Sequence, residues 1–154
     1  MIDGFLKFLE FGLYHIVSFS SYDHILFLVV LTAPYAFKDW TRLLLLVSFF
    51  TLGHTLSLLL GVYDIINLKV NVVEWLIPFT IIIMALYNIF TAGKASKKSN
   101  PIIIVCLVLF FGLIHGLGFA NSFETVVGSD QSTLLSIIEF ALGIELGQFV
   151  IVFC

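Results

Sequence analysis

The sequence predicts an all-α membrane protein, a polytopic bundle of about five transmembrane helices preceded by an N-terminal amphipathic helix. Three observations predict it. Of 154 residues, 60% are hydrophobic and 11% charged, against roughly 25% charged in soluble domains. Mean hydropathy is +1.14. The polar residues cluster in short segments between apolar runs of spanning length, and about 20 apolar residues cross a bilayer as helix.

Met1 to Val17 sets Phe5, Leu6, Phe8, Leu9, Leu13 and Ile16 among Asp3, Lys7 and Glu10, the pattern of a helix lying on a membrane surface or dipping partly in. Ser18 to Tyr22 breaks it. The spans are expected at about 23–37, 41–62, 70–90, 101–120 and 132–154. Pro34 favours an early exit from the first, Pro78 lies inside the third, and Pro101 opens the fourth at a position that suits proline. The linking loops are too short for an extramembrane domain, so 1–154 reads as a single transmembrane domain.

Lys38, Arg42, Lys94, Lys97 and Lys98 fall on one side, while Lys7 and Lys69 face Asp64, Glu124 and Asp130 on the other. The basic excess places the lysine-rich loops in the cytoplasm. No cleavable leader is expected, because Met1 to Glu10 lacks a basic start and a small-residue cleavage site. The net charge of −3 and the scattered basic residues exclude nucleic acid as a partner; the lipid bilayer and a metal ion are the expected partners, with a homo-oligomer left open. Cys106 and Cys154 stand alone in apolar runs and read as packing. The chain has no CxxC, HExxH or glycine-rich phosphate loop.

The polar residues inside the apolar runs carry the functional signal. His15, Asp23, His24, His54, His115 and Glu145 all sit where an ionisable group is costly. Neutral imidazole is a common metal ligand, and a neighbouring carboxylate fixes its tautomer, which suits the Asp23–His24 pair. His54 and His115 lie about 13 and 14 residues above the starts of their spans. That places both roughly 20 Å up a ~30 Å core, in the half that His15, Asp23 and His24 enter. These residues are expected to form one divalent-metal site. Depth alone would draw in Glu139 rather than Glu145, and six positions separate the two. Gly112 with Gly116, and Gly143 with Gly147, have the four-residue spacing that lets helix backbones approach closely.

Four segments together resemble the HupE/UreJ family of small bacterial membrane proteins. They are His15-Ile16 with Tyr22-Asp23-His24-Ile25-Leu26-Phe27, Phe50 to Leu56, Phe111 to Ala120, and Gly143-Ile144-Glu145-Leu146-Gly147-Gln148. The resemblance implies nickel or cobalt uptake, with the histidines and acids above as metal contacts, and it favours Glu145 over Glu139. It also implies an asparagine where Ala141 stands, and at least one helix beyond the fifth.

Three functions follow for such a site. A nickel or cobalt permease or uptake accessory comes first. A membrane-embedded zinc hydrolase could use the same His/Asp cluster with a second carboxylate as base. A non-catalytic metal-binding assembly subunit is the third. Imidazole and carboxylate ligands suit nickel, cobalt and zinc alike. A polar route below the histidines separates transport from hydrolysis, and Leu43 to Val47 and Ile102 to Val105 are apolar there.

Overall fold

The computed structural model describes residues 2–18, 21–66, 68–91, 101–127 and 133–153. Six α-helices account for nearly all of them: α1 (Ile2–Val17), α2 (Tyr22–Thr32), α3 (Trp40–Val62), α4 (Val70–Thr91), α5 (Pro101–Val127) and α6 (Thr133–Phe153). A 3₁₀ turn at Phe37–Asp39 leads into α3. Among the described residues there is no strand. The protein is therefore an all-helical, multi-pass membrane protein, as the composition requires. The lysines of the loop after α4 and Asp130 lie outside the described residues.

Four segments are long and apolar enough to cross a bilayer alone: Phe37–Val62, Val70–Thr91, Pro101–Ala120 and Thr133–Phe153. The stretch expected as the first span, 23–37, is instead the 11-residue α2. At 1.5 Å per residue it is about 16 Å long, half a hydrocarbon core. It reaches span length only together with α1, which it meets at 68°. Serine is a weak helix former that favours caps and turns, which suits a break there. Here the Ser21 amide donates to the Ser18 carbonyl and the Ser18 amide to Tyr14.

The amphipathic α1 has a partner for its apolar face. Phe8, Gly12 and Ile16, each a turn apart, are buried, and they face α6. A Cβ added to Gly12 would lie 2.2 Å from the Phe140 carbonyl oxygen, and one added to Gly143 would lie 2.1 Å from that of Leu9. The two backbones are in direct contact, which only glycine allows. Leu9 meets Gly143 and Ile16 meets Gly147, so α1 and α6 run parallel.

A second seam of the same kind joins α3 to α5. A Cβ on Gly53 would meet the Leu109 carbonyl at 2.3 Å, and one on Gly112 the Phe50 carbonyl at 2.3 Å. This pair is also parallel, because Gly116 meets His54 and Gly61 meets Ala120 further along. The two pairs run opposite to each other. Val152 and Phe153 at the end of α6 border the same surface groove as Trp40 and Leu43 at the start of α3.

The α4 helix is held more lightly. Its buried residues Val73, Thr80, Ile81 and Met84 form one stripe, while Trp75, Phe79, Ile82 and Phe90 are exposed, as suits a lipid-facing surface. The Asn88 Nδ2 group donates to the Val30 carbonyl at 2.6 Å, satisfying one of the free carbonyls at the end of α2. Two buried apolar clusters result. One centres on Phe27, Leu46, Phe50 and Phe111, the other on Phe8, Leu58, Phe123 and Phe140. The histidines lie where they meet.

Candidate metal centre

Each histidine reaches the junction from a different helix. His15 is in the last turn of α1 and His24 in the first turn of α2, so the break between them turns both rings toward the same place. His54 and His115 each lie 14 residues into their helices, counted from Trp40 and Pro101 (54 − 40 and 115 − 101). The α3–α5 seam keeps these two at one level. Ring centroids are 5.0 Å apart for His15 and His24, 5.7 Å for His24 and His54, 6.0 Å for His15 and His54, and 5.2 Å for His24 and His115.

His15, His24 and His54 each present a ring nitrogen, and these atoms lie within 4.8 Å of one another. A tetrahedral ion bonded at 2.0–2.1 Å would hold such nitrogens about 3.3 Å apart, so the rings need only close inward. His115 stands next to this trio, against His24.

The hydrogen bonds sort the ring nitrogens into used and free. The His24 Nδ1 atom is 3.1 Å from Asp23 Oδ1, and the His115 Nδ1 atom is 2.8 Å from the Phe111 carbonyl. A carboxylate and a carbonyl only accept, so Nδ1 carries the proton on both rings and Nε2 keeps its lone pair. This is the arrangement of metal-ligating histidines, whose second nitrogen is held by an acceptor. His15 Nε2, His24 Nε2, both nitrogens of His54 and His115 Nε2 are buried without a hydrogen-bond partner among the described residues. Roughly nine in ten buried polar groups are bonded, so this concentration of free ring nitrogens makes the cluster a candidate that could hold a metal ion.

The walls are aromatic. Phe119 lies 4.1 Å from the His15 ring, Phe140 5.6 Å from it, and Phe50 5.1 Å from the His115 ring. On one side, a groove of about 400 Å³ between α2 and α4 is lined by Asp23 from the start of α2 and by Glu74 from the start of α4.

Neither α6 carboxylate belongs to the trio. Glu145 accepts a hydrogen bond from the Ser48 hydroxyl, and Ser48 is six residues before His54, about 9 Å nearer the Trp40 end. Three residues on, Thr51 Oγ1 lies 2.9 Å from Gln148 Oε1. Glu139 is buried, at 4% exposure, yet offers no ligand atom to the group. Asp23 contacts the His24 ring and is not one of the three grouped residues. Of the six residues singled out in the sequence, the structure brings His15, His24 and His54 together, sets Asp23 and His115 against His24, and leaves Glu145 apart.

Sequence reasoning missed the Ser48–Glu145 and Thr51–Gln148 pairs. Their signal was available: Ser48 and Thr51 are three apart on α3, as are Glu145 and Gln148 on α6, and three-residue spacing shares a helix face. It missed the phenylalanine walls because 17 phenylalanines make any single one uninformative.

The family model described as HupE / UreJ protein matches residues 1–154, the whole chain. The chain belongs to the HupE/UreJ family. Membership carries the family's association with nickel and cobalt uptake to a membrane protein whose histidines cluster inside the bundle. No curated protein and no solved structure gives a significant match.

Proposed function

We propose that this HupE/UreJ protein is a permease for Ni²⁺ or Co²⁺ in a bacterial inner membrane, with the lysine-rich loops cytoplasmic. One observation carries the reading: three unpartnered imidazole nitrogens from α1, α2 and α3 face one another at a break between helices. Helix breaks inside transporters place binding sites near mid-membrane.

The ion arrives as a hydrated dication. Glu74 and Asp23 give the groove between α2 and α4 two carboxylates, which raise the local cation concentration. At the cluster, His15, His24 and His54 replace bound water with imidazole, and Asp23 holds the His24 ring in register through its 3.1 Å contact. Borderline nitrogen ligands favour nickel and cobalt over the more abundant magnesium and calcium, which prefer oxygen. His115 lies beside His24 as the next station. Below His54, the buried Thr51–Gln148 pair and the exposed Ser48–Glu145 pair supply polar atoms toward the cytoplasmic end, where the sequence of α3 and α5 alone suggested an apolar plug. Polar side chains at that level favour transport over a closed hydrolytic site. The hydrolase reading requires a second carboxylate as base beside the ion, and Asp23 is engaged by His24.

The test is uptake of nickel or cobalt by proteoliposomes, paired with elemental analysis of the purified protein. Wild type should bind about one ion per chain and transport it, and His54→Ala should do neither. Protein that binds the ion but never moves it would replace the permease with the assembly-subunit reading. Protein that stays empty with nickel, cobalt and zinc would refute the site.

A further inference from the structure

The two glycine seams are copies of each other, in sequence and in space. On α1, Leu9-Glu10-Phe11-Gly12-Leu13-Tyr14-His15 matches Leu109-Phe110-Phe111-Gly112-Leu113-Ile114-His115 on α5 at five of seven positions. On α3, Phe50-Thr51-Leu52-Gly53-His54-Thr55-Leu56 matches Phe140-Ala141-Leu142-Gly143-Ile144-Glu145-Leu146 on α6 at four of seven. The offsets are 100 (111 − 11) and 90 (143 − 53).

The contacts obey the same offsets, and they are an independent observation. Gly12 lies against Phe140 and Ile144, and its counterpart Gly112 against Phe50 and His54. Gly53 lies against Leu109 and Leu113, and its counterpart Gly143 against Leu9 and Leu13. The aromatic walls follow too: Phe50 packs on His115 at 5.1 Å, and Phe140 on His15 at 5.6 Å. Because α1·α6 and α3·α5 run in opposite directions, the operation that exchanges them is a two-fold rotation about an axis perpendicular to the helices. In a bilayer that axis lies in the membrane plane, the mark of an inverted repeat.

Within each unit, backbone touches backbone across a glycine, so the two helices are locked. Between the units the contacts are side chain to side chain: His15 with His54, Ser48 with Glu145, and Thr51 with Gln148. The Thr51 hydroxyl also lies 3.3 Å from the Val47 carbonyl. A single hydroxyl proton serves one acceptor, so this bridge is readily exchanged. The Gln148 amide nitrogen has no partner among the described residues, although the residue is fully buried.

We propose that α1·α6 and α3·α5 are two inverted rigid units that rock about the histidine cluster, and that Ser48–Glu145 with Thr51–Gln148 is the latch closing the route on the Trp40 side. Parting these two bonds opens the site toward that side; remaking them closes it. The inference rests on the permease reading above, and assigns the two α6 side chains to gating rather than to metal ligation.

The test uses the full chain in liposomes with Cys106 and Cys154 replaced by serine. Ser48→Cys with Glu145→Cys spans the two units. Ile16→Cys with Gly147→Cys lies within one unit, where a Cβ on Gly147 would be 3.3 Å from that of Ile16, near disulfide range. Oxidation of the first pair should cut nickel uptake at least tenfold, restored by reductant, with nickel stoichiometry unchanged. Oxidation of the second should leave uptake within twofold of its reduced form. Undiminished uptake in the cross-linked first pair, equal loss in both, or failure of the first pair to cross-link would overturn the device. If the reduced first pair is itself inactive, labelling of Ser48→Cys alone by a membrane-impermeant thiol reagent from the Trp40 side decides: a rate that changes with nickel supports the latch, and a constant rate overturns it. Absence of nickel from the uncross-linked protein would instead sink the permease reading on which the latch depends.

Discussion

Replacing Asp23 by asparagine isolates one charge. The amide oxygen of the substituted side chain would still accept from His24 Nδ1, so the tautomer survives and only the negative charge is lost. The native carboxylate oxygen is 3.1 Å from Nδ1. Adding the width of the ring and a metal–nitrogen bond places it about 7 Å from an ion on Nε2. A unit charge and a dication at that distance attract by about 1 kcal/mol with full water screening and about 5 kcal/mol at an effective dielectric of about 20. The Asp23 side chain is 25% exposed, so the lower part of that range applies. Loss of a partner behind a ligating histidine weakens metal binding by roughly 10–100-fold, which is about 1.4–2.7 kcal/mol and agrees. Nickel titration of purified wild type and Asp23→Asn by calorimetry, with circular dichroism to check folding, measures it. A folded variant binding nickel within twofold of wild type would refute the placement of Asp23 behind a ligand.

His54→Ala should abolish nickel binding, whereas His115→Ala, outside the trio, should weaken it by roughly tenfold or less; equal loss in both would put His115 among the primary ligands. Gly112→Ala forces a methyl group onto the Phe50 carbonyl, a backbone atom that cannot swing aside, and should cost about 2–3 kcal/mol. Gly118→Ala meets only the tips of Val73 and Ile77, at 3.3 and 3.6 Å, and should cost less than about 1 kcal/mol; thermal unfolding in detergent compares the two. Asn88→Leu leaves the Val30 carbonyl without its donor and should destabilise the protein by about 1–3 kcal/mol, read as faster proteolysis between α3 and α4, with nickel affinity unchanged.

How much of this was legible depends on what each feature needs. The helices at 41–62, 70–90 and 101–120 were legible because uninterrupted apolar length is itself the signal. For the first span, the break at Ser18 to Tyr22 and the early exit near Pro34 were legible. The helix that results, Tyr22–Thr32, is too short to span alone. That it reaches span length only with α1 was not legible, because apolar composition does not say where helical hydrogen bonds stop. Convergence of the histidines was legible through depth, because rise per residue is constant. Depth failed for α6, since it says nothing of which way a side chain faces: Glu139 has suitable depth and Glu145 has the motif, yet neither reaches the trio. The close seams announced themselves through Gly112 with Gly116 on α5 and Gly143 with Gly147 on α6, but the glycines facing them, Gly53 on α3 and Gly12 on α1, have no glycine four residues away, so spacing rules do not flag them.

The partnership of α1 with α6 also sets an order of events during synthesis. Between Val17 and Thr133 the ribosome must add 116 residues (133 − 17), which at 5–20 residues per second takes roughly 6–23 s. Until then α1 has only the α5 side of its groove, where Phe8 meets Phe123 and Phe11 meets Phe119, and it lacks the glycine seam with α6. We expect His15 to be fixed beside His24 and His54 only once α6 arrives, so that the grouping of the three rings is the last part of the site to form.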